Sequence, residues 1–225
     1  MRAYLRKAWL IAWKDLVSEW RSREVFSIMA VFALLTILIF NFALELSSVN
    51  RVEVAPGLLW VTFIFAGLLG VNRSFTREQE QGNLAGLMMV PVDRSAIYLG
   101  KLMGNLAFIV SVEAVTLPLF AALFNISVPV WPLLVPLLLG TLGFAIIGTV
   151  FAAISVNTRL RDVLLPVLVL PIFVPVVIAA VKASSTVFAR RSLLEEARHW
   201  IGLLVTFDVL FFTLAVLLFD VILEE

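Results

Sequence analysis

Few residues in this chain are of types that carry chemistry, and two of the most telling are acids set inside apolar stretches: Glu113 and Asp208. A carboxyl at that depth in a bilayer costs about 2.5–3.5 kcal/mol on insertion scales, so each is expected to face a bundle interior or a wet cavity. They are candidates for a transport path or proton relay, or for protonated, hydrogen-bonded glue between helices. A proton-coupled carrier usually holds more intramembrane charge, which favours the structural reading. Other chemistries are poorly supplied. The sequence has no cysteine, which removes disulfides, thiolate metal sites and thiol nucleophiles together. A single histidine, His199, leaves no multi-histidine metal site. No G-x-x-x-x-G-K-[ST] loop is present to cradle phosphates; the only Gly-Lys pair, Gly100-Lys101, runs into Leu102 and an apolar block. Neither G-x-S-x-G nor H-E-x-x-H occurs. The expectation is a non-catalytic chain that does not hydrolyse ATP by itself, with no metal and no tightly bound cofactor.

The elements that must position these acids follow from composition. Of 225 residues, 62% are hydrophobic and 15% charged, and the mean hydropathy is +1.06. A soluble domain carries about 25% charged residues, so this chain lacks the polar surface to cover a water-soluble globule. A net charge of +1 gives no reason to expect nucleic acid. Apolar blocks run over about 25–44, 54–72, 102–124, 133–154, 163–181 and 201–219, each near the ~20 residues that cross ~30 Å of hydrocarbon as a helix. The ~10-residue alternating stretches of a membrane barrel are absent from the sequence. The reading is an all-α integral membrane protein, one transmembrane domain over 1–225 with six spans. The first block is longer than a signal-peptide core, so it reads as a retained span.

Residues 1–24 read as an interfacial helix. Leu5, Trp9, Trp13, Leu16 and Trp20 fall on one stripe, and Lys7, Lys14 and Arg21 on another. Tryptophan prefers the headgroup level and lysine keeps its charge wet while its stem lies in lipid; a soluble helix packed on a partner is the alternative. Twelve of the seventeen Lys and Arg lie in residues 1–24, 73–101 and 155–162, which predicts that these segments and both termini are cytoplasmic. The 182–200 loop is the exception, with Lys182, Arg190, Arg191 and Arg198 on the other side, and Ser192–Trp200 there reads as a surface amphipathic helix. The fifth span holds Pro166, Pro171 and Pro175, which predicts a bent helix whose freed carbonyls need protein neighbours, static or gating. Gly100 and Gly104, and Ala145, Thr149 and Ala153, recur at four-residue spacing and predict close helix packing within the chain.

The 73–101 loop is the most informative segment. Its charged run, with Glu78 and Glu80, reads as a helical extension of the second span that Gly82 ends. Leu84, Leu87 and Met88 then share one face of a short helix stopped by Pro91, with Asp93 or Ser95 capping the next helix beside Arg94. An apolar face rimmed by charge implies a protein partner; a surface helix resting in the lipid interface is the alternative. On a membrane protein without a motor, such a helix suggests coupling to a separate ATPase.

The stretch Arg77-Glu78-Gln79-Glu80-Gln81-Gly82, followed by Leu84 and by Leu87-Met88-Met89-Val90-Pro91-Val92-Asp93-Arg94 through Gly100-Lys101, closely resembles the heme exporter protein B family. So do Ala55-Pro56-Gly57-Leu58-Leu59-Trp60, Asn157-Thr158-Arg159-Leu160-Arg161-Asp162 and the proline-rich fifth span. The resemblance covers about 55–180. It implies an ABC-type exporter permease in a bacterial inner membrane, forming a homodimer and driven by a separate ATP-binding cassette subunit. ATP would then bind on that subunit. It also implies further membrane subunits, a periplasmic heme chaperone and heme as cargo for cytochrome c biogenesis. Related exporters place Thr-Leu-Glu where this chain has Asn83-Leu84-Ala85, so position 85 offers no acid for an ATPase salt bridge. His199 and five methionines are thin provision for axial heme ligation, so tight heme binding by this chain is not expected. Two other functions fit the same residues: an export permease for a lipid, polysaccharide or drug, and a scaffold that relays ATPase motion to release a heme chaperone without a transport path.

Overall fold

The computed structural model describes residues 2–45, 49–80, 93–155 and 161–222. Among them the elements are helices: α1 (Arg2–Ser22), α2 (Glu24–Glu45), α3 (Arg51–Glu80), α4 (Arg94–Phe124), α5 (Val130–Ser155), α6 (Arg161–Phe188), the one-turn α7 (Leu193–Glu196) and α8 (Arg198–Ile222). Six of these, α2 to α6 and α8, are long and apolar enough to cross a membrane.

The apolar blocks mark the spans, but the helices outrun them. Helix α3 continues through residues 73–80, as the charged run predicted. Helix α4 begins at Arg94, as a cap at Asp93 predicted, so residues 94–101 are its first two turns. Asp93 stands at its N-cap position, yet its side chain makes no capping bond. The 182–200 loop shrinks in the same way. Residues 182–188 finish α6, and in place of a surface helix over Ser192–Trp200 there is a single turn, α7, before α8 begins. Polar residues thus extend helices past the hydrocarbon length, because backbone hydrogen bonding continues wherever side chains permit it.

Two ends close in the same way. Asn125 (φ 52°) and Arg190 (φ 58°) are left-handed, and the next residue donates back to the last turn: Ile126 N–H to the Ala121 carbonyl (3.0 Å), and Arg191 N–H to that of Thr186 (3.0 Å). At the α1–α2 corner Arg23 is also left-handed. There the Glu19 carboxylate accepts from the Phe26 N–H at 2.9 Å, satisfying a free donor of α2 from the preceding helix.

Helix α1 lies along α4, α2 packs on α3 and α4, and α5 contacts α6 and α8. The core runs through Met29, Trp60, Phe144, Phe173 and Phe219, with a second cluster around Phe63, Phe120 and Phe124 near the α4–α5 connection. Outward-facing Val31, Ile39, Val163, Val209 and Leu217 leave a large apolar surface, as lipid requires and water does not. Helix α6 stays helical through its three prolines. Pro171 and Pro175 are exposed on its outer side rather than turned toward neighbouring helices. Freed carbonyls lie on the same side of a helix as the prolines that free them, so at Pro171 and Pro175 the predicted protein neighbours are not met among the described residues.

Candidate functional site: the polar seams and the coupling segment

Helix α1 carries two faces. Leu5, Trp9, Trp13 and Trp20 are exposed, Trp20 at 81%, and Trp9 stacks on Trp13. Leu16 instead packs against the core, so the predicted stripe is outward only in part. The opposite face, with Ala8, Ile11, Ala12 and Asp15, seats on α4, while Glu19 further along it turns to the start of α2. Gly100 makes the approach possible: a Cβ there would stand 2.7 Å from Ile11 Cβ and 2.8 Å from the Ala8 carbonyl. One turn on, at Gly104, it would meet Asp15 at an ordinary 3.6 Å.

In that seam Lys101 Nζ pairs with Asp15 Oδ2 at 2.9 Å, with Lys101 1% exposed. Lys14 reaches the other oxygen of Asp15 at 3.1 Å, and the ammonium of Lys101 lies 5.4 Å from the Phe75 ring centre. Lys101, the last residue of the 73–101 segment, is therefore a buried cation. It joins α1 to the start of α4. Arg73 pairs with Glu24, tying α3 to the first turn of α2 at the same end of the bundle.

Glu113 and Asp208 both face inward, 3% and 5% exposed. Thr141 Oγ1 donates to Glu113 Oε1 at 2.6 Å, while Glu113 Oε2 has no hydrogen-bond partner. Neither oxygen of Asp208 has a partner. Oδ1 lies over Gly143, where a Cβ would stand 2.6 Å away. Thr141 and Gly143, two residues apart, point about 200° apart around α5. The two acids thus flank α5 on different sides and do not form a pair.

Other polar contacts staple the helices. Asn105 Nδ2 donates to Thr149 Oγ1 at 3.0 Å within the small-residue seam of α4 and α5, where Ala145 and Ala153 are buried. Trp60 Nε1 donates to Ser184 Oγ at 3.0 Å, joining α3 to α6. The close spacing of small residues therefore serves packing within the chain.

Of the predicted coupling residues, Glu78 and Glu80 belong to the last turns of α3 and Arg94 opens α4. Gly82, Leu84, Leu87, Met88 and Pro91 lie outside the described residues. Residue-by-residue reading of the sequence missed Asp15 and the buried role of Lys101. A signal existed, since Ala8, Ile11, Ala12, Asp15 and Glu19 share one helical face opposite the tryptophan stripe. His199, near the start of α8, is exposed with its ring 4.5 Å from that of Trp200.

Six apolar helices, an apolar outer surface and interior acids turned away from lipid define a multi-pass α-helical membrane protein consistent with a permease. The sequence matches the family model described as CcmB protein over residues 6–223. It is 31% identical to heme exporter protein B of Paracoccus denitrificans over 178 residues, 79% of this chain and 81% of that one. It is 30% identical to heme exporter protein B of Rhodobacter capsulatus over 166 residues, 73% and 76% of the two chains. The same-named protein of Pseudomonas aeruginosa is 31% identical over 149 residues, 66% and 67%. The chain belongs to the CcmB protein family.

Proposed function

We propose that this chain is the membrane permease subunit of an ABC-type complex that exports or delivers heme for cytochrome c biogenesis. The match to the CcmB family across nearly the whole chain, with relatives named heme exporter protein B, carries the reading. The chain sits in a bacterial inner membrane with both termini cytoplasmic, the orientation favoured by the Lys and Arg distribution. It is non-catalytic and is driven by a separate ATP-binding cassette subunit gripping the 78–94 segment. It works as a homodimer with further membrane subunits and a periplasmic heme chaperone. Heme is cargo and not a resident cofactor.

One observation favours a second reading within this family. The described interior is filled by Trp60, Phe144, Phe173 and other large side chains. That packing suits a scaffold which relays ATPase motion to release a heme-loaded chaperone. In either case the ATPase must dock, and Leu84, Leu87 and Met88 offer the apolar anchors.

The experiment compares wild type, Leu87→Asp and Asn83→Ala at equal membrane levels in a strain lacking the native gene. Anchor residues typically cost ~2 kcal/mol or more when lost. Leu87→Asp is expected to lose the co-purifying ATPase and cytochrome c assembly, with Asn83→Ala close to wild type. ATPase recovery undiminished in Leu87→Asp defeats this docking site. Normal cytochrome c assembly without the chain defeats the function. Heme crossing proteoliposomes of the purified complex with ATP separates permease from scaffold.

A further inference from the structure

Between the second half of α4 and the first half of α5 lies an open cleft of about 570 Å³, within the ~300–1,000 Å³ typical of small-molecule sites. Its walls are apolar, including Ala121, Leu134 and Leu138. Its floor is not. Glu113 lines it, 3% exposed, with Oε1 held by Thr141 and Oε2 without a partner. Pro118, one turn further along α4, also lines the cleft. Because proline has no N–H, the carbonyl of Ala114 loses its helical donor on that side, and Ala114 is itself an exposed wall residue. Two polar groups thus belong to residues lining one apolar cleft within a span, where an unsatisfied group is costly.

We propose that this cleft binds a membrane-soluble amine, a molecule with an apolar body and one amino group that meets Glu113 and the Ala114 carbonyl. The donor and acceptor pattern selects the amine. An ionised carboxylate and the carbonyl would accept two N–H bonds from one amino group. A protonated carboxyl donates from Oε2 to the amine lone pair, and the amine donates to the carbonyl. A hydroxyl has only one hydrogen to share and so satisfies both groups only when Glu113 is protonated, whereas an amine does so in either state; a carboxylate ligand meets an acceptor at the carbonyl. A whole helix, about 10 Å across, lies over such a cleft rather than in it. This proposal does not depend on what the ATPase drives.

The test uses the full chain in phosphatidylcholine nanodiscs and three probes with one apolar body: 1-aminoanthracene, anthracene and anthracene-9-carboxylic acid. 1-Aminoanthracene is expected to bind saturably and at least tenfold more tightly than the other two. Glu113→Leu should remove that preference while leaving the weak binding of anthracene. Ala121→Phe, which fills the cleft without touching the acid, should weaken 1-aminoanthracene and anthracene alike. Three results overturn the proposal. One is equal binding of the three probes, which marks a cleft for lipid tails. Another is equal 1-aminoanthracene affinity in wild type and in both folded variants. The third is loss of binding when the chain is measured with its co-purifying partners, which assigns the cleft to a partner helix.

Discussion

Lys101 is almost fully buried and is held by Asp15 at 2.9 Å, so its charge is useful only while that partner is in place. Breaking a buried pair from one side costs about 3–5 kcal/mol. Lys101→Met is expected near the low end, about 3 kcal/mol, because Lys14 still reaches Asp15. Lys101→Met with Asp15→Leu should recover much of the loss, since two apolar side chains can replace a buried pair. Unfolding in mixed micelles measures both; a single variant as stable as wild type would show the pair to be idle. Asp208 poses the opposite case, a buried carboxyl with no partner lying over Gly143. Gly143→Ala places a methyl 2.6 Å from Oδ1 and should cost about 1–3 kcal/mol by overpacking. Asp208→Ala should relieve that cost. A double-mutant cycle with no coupling would place the two residues apart.

At the scale of elements, the α1–α4 seam depends on one missing side chain. Gly100→Ala should weaken it by about 1–3 kcal/mol, because the new methyl meets the Ile11 side chain and the Ala8 backbone. Gly104→Ala, at 3.6 Å from Asp15, should be neutral or slightly stabilising. Thermal unfolding of the two variants gives the comparison, and equal melting temperatures would contradict the seam. The opposite face of α1 leaves Trp9, Trp13 and Trp20 exposed, which suits an indole at the headgroup level. A chain retaining only Trp20 should be quenched by lipids brominated near the headgroup and much less by lipids brominated near the tail end. The reverse order would place α1 inside the hydrocarbon.

For the whole molecule, orientation follows from charge. At one end of the bundle Arg73 meets Glu24, and Lys101 and Lys14 meet Asp15, with Arg94 opening α4 nearby in the chain. The other end carries the Asn125–Pro129 connection, with Trp131 84% exposed beside it. With cysteines absent from the sequence, single cysteines report cleanly. Ser18→Cys and Ser95→Cys should resist an impermeant thiol reagent in intact cells, and Ser127→Cys should react. Reaction at position 95 from outside would invert the topology.

By itself the sequence determined the six spans, their helical nature and the family, because hydrocarbon thickness fixes span length and lipid forbids open backbone. The inward placement of Glu113 and Asp208 was legible for the same reason, since a carboxyl facing lipid is too costly. The small-residue spacing at Gly100, Gly104, Ala145 and Ala153 announced close packing, though not which helix would fill each notch. Only the tertiary structure decided that α1 seats on Gly100, that Lys101 is buried against Asp15, and that α5 separates the two acids. These pairings join residues far apart in the chain, and periodicity along one helix shows which face is special without naming its partner. The helix ends moved for a related reason. Hydropathy marks where a chain enters lipid, whereas backbone hydrogen bonding and tertiary contacts decide where a helix stops.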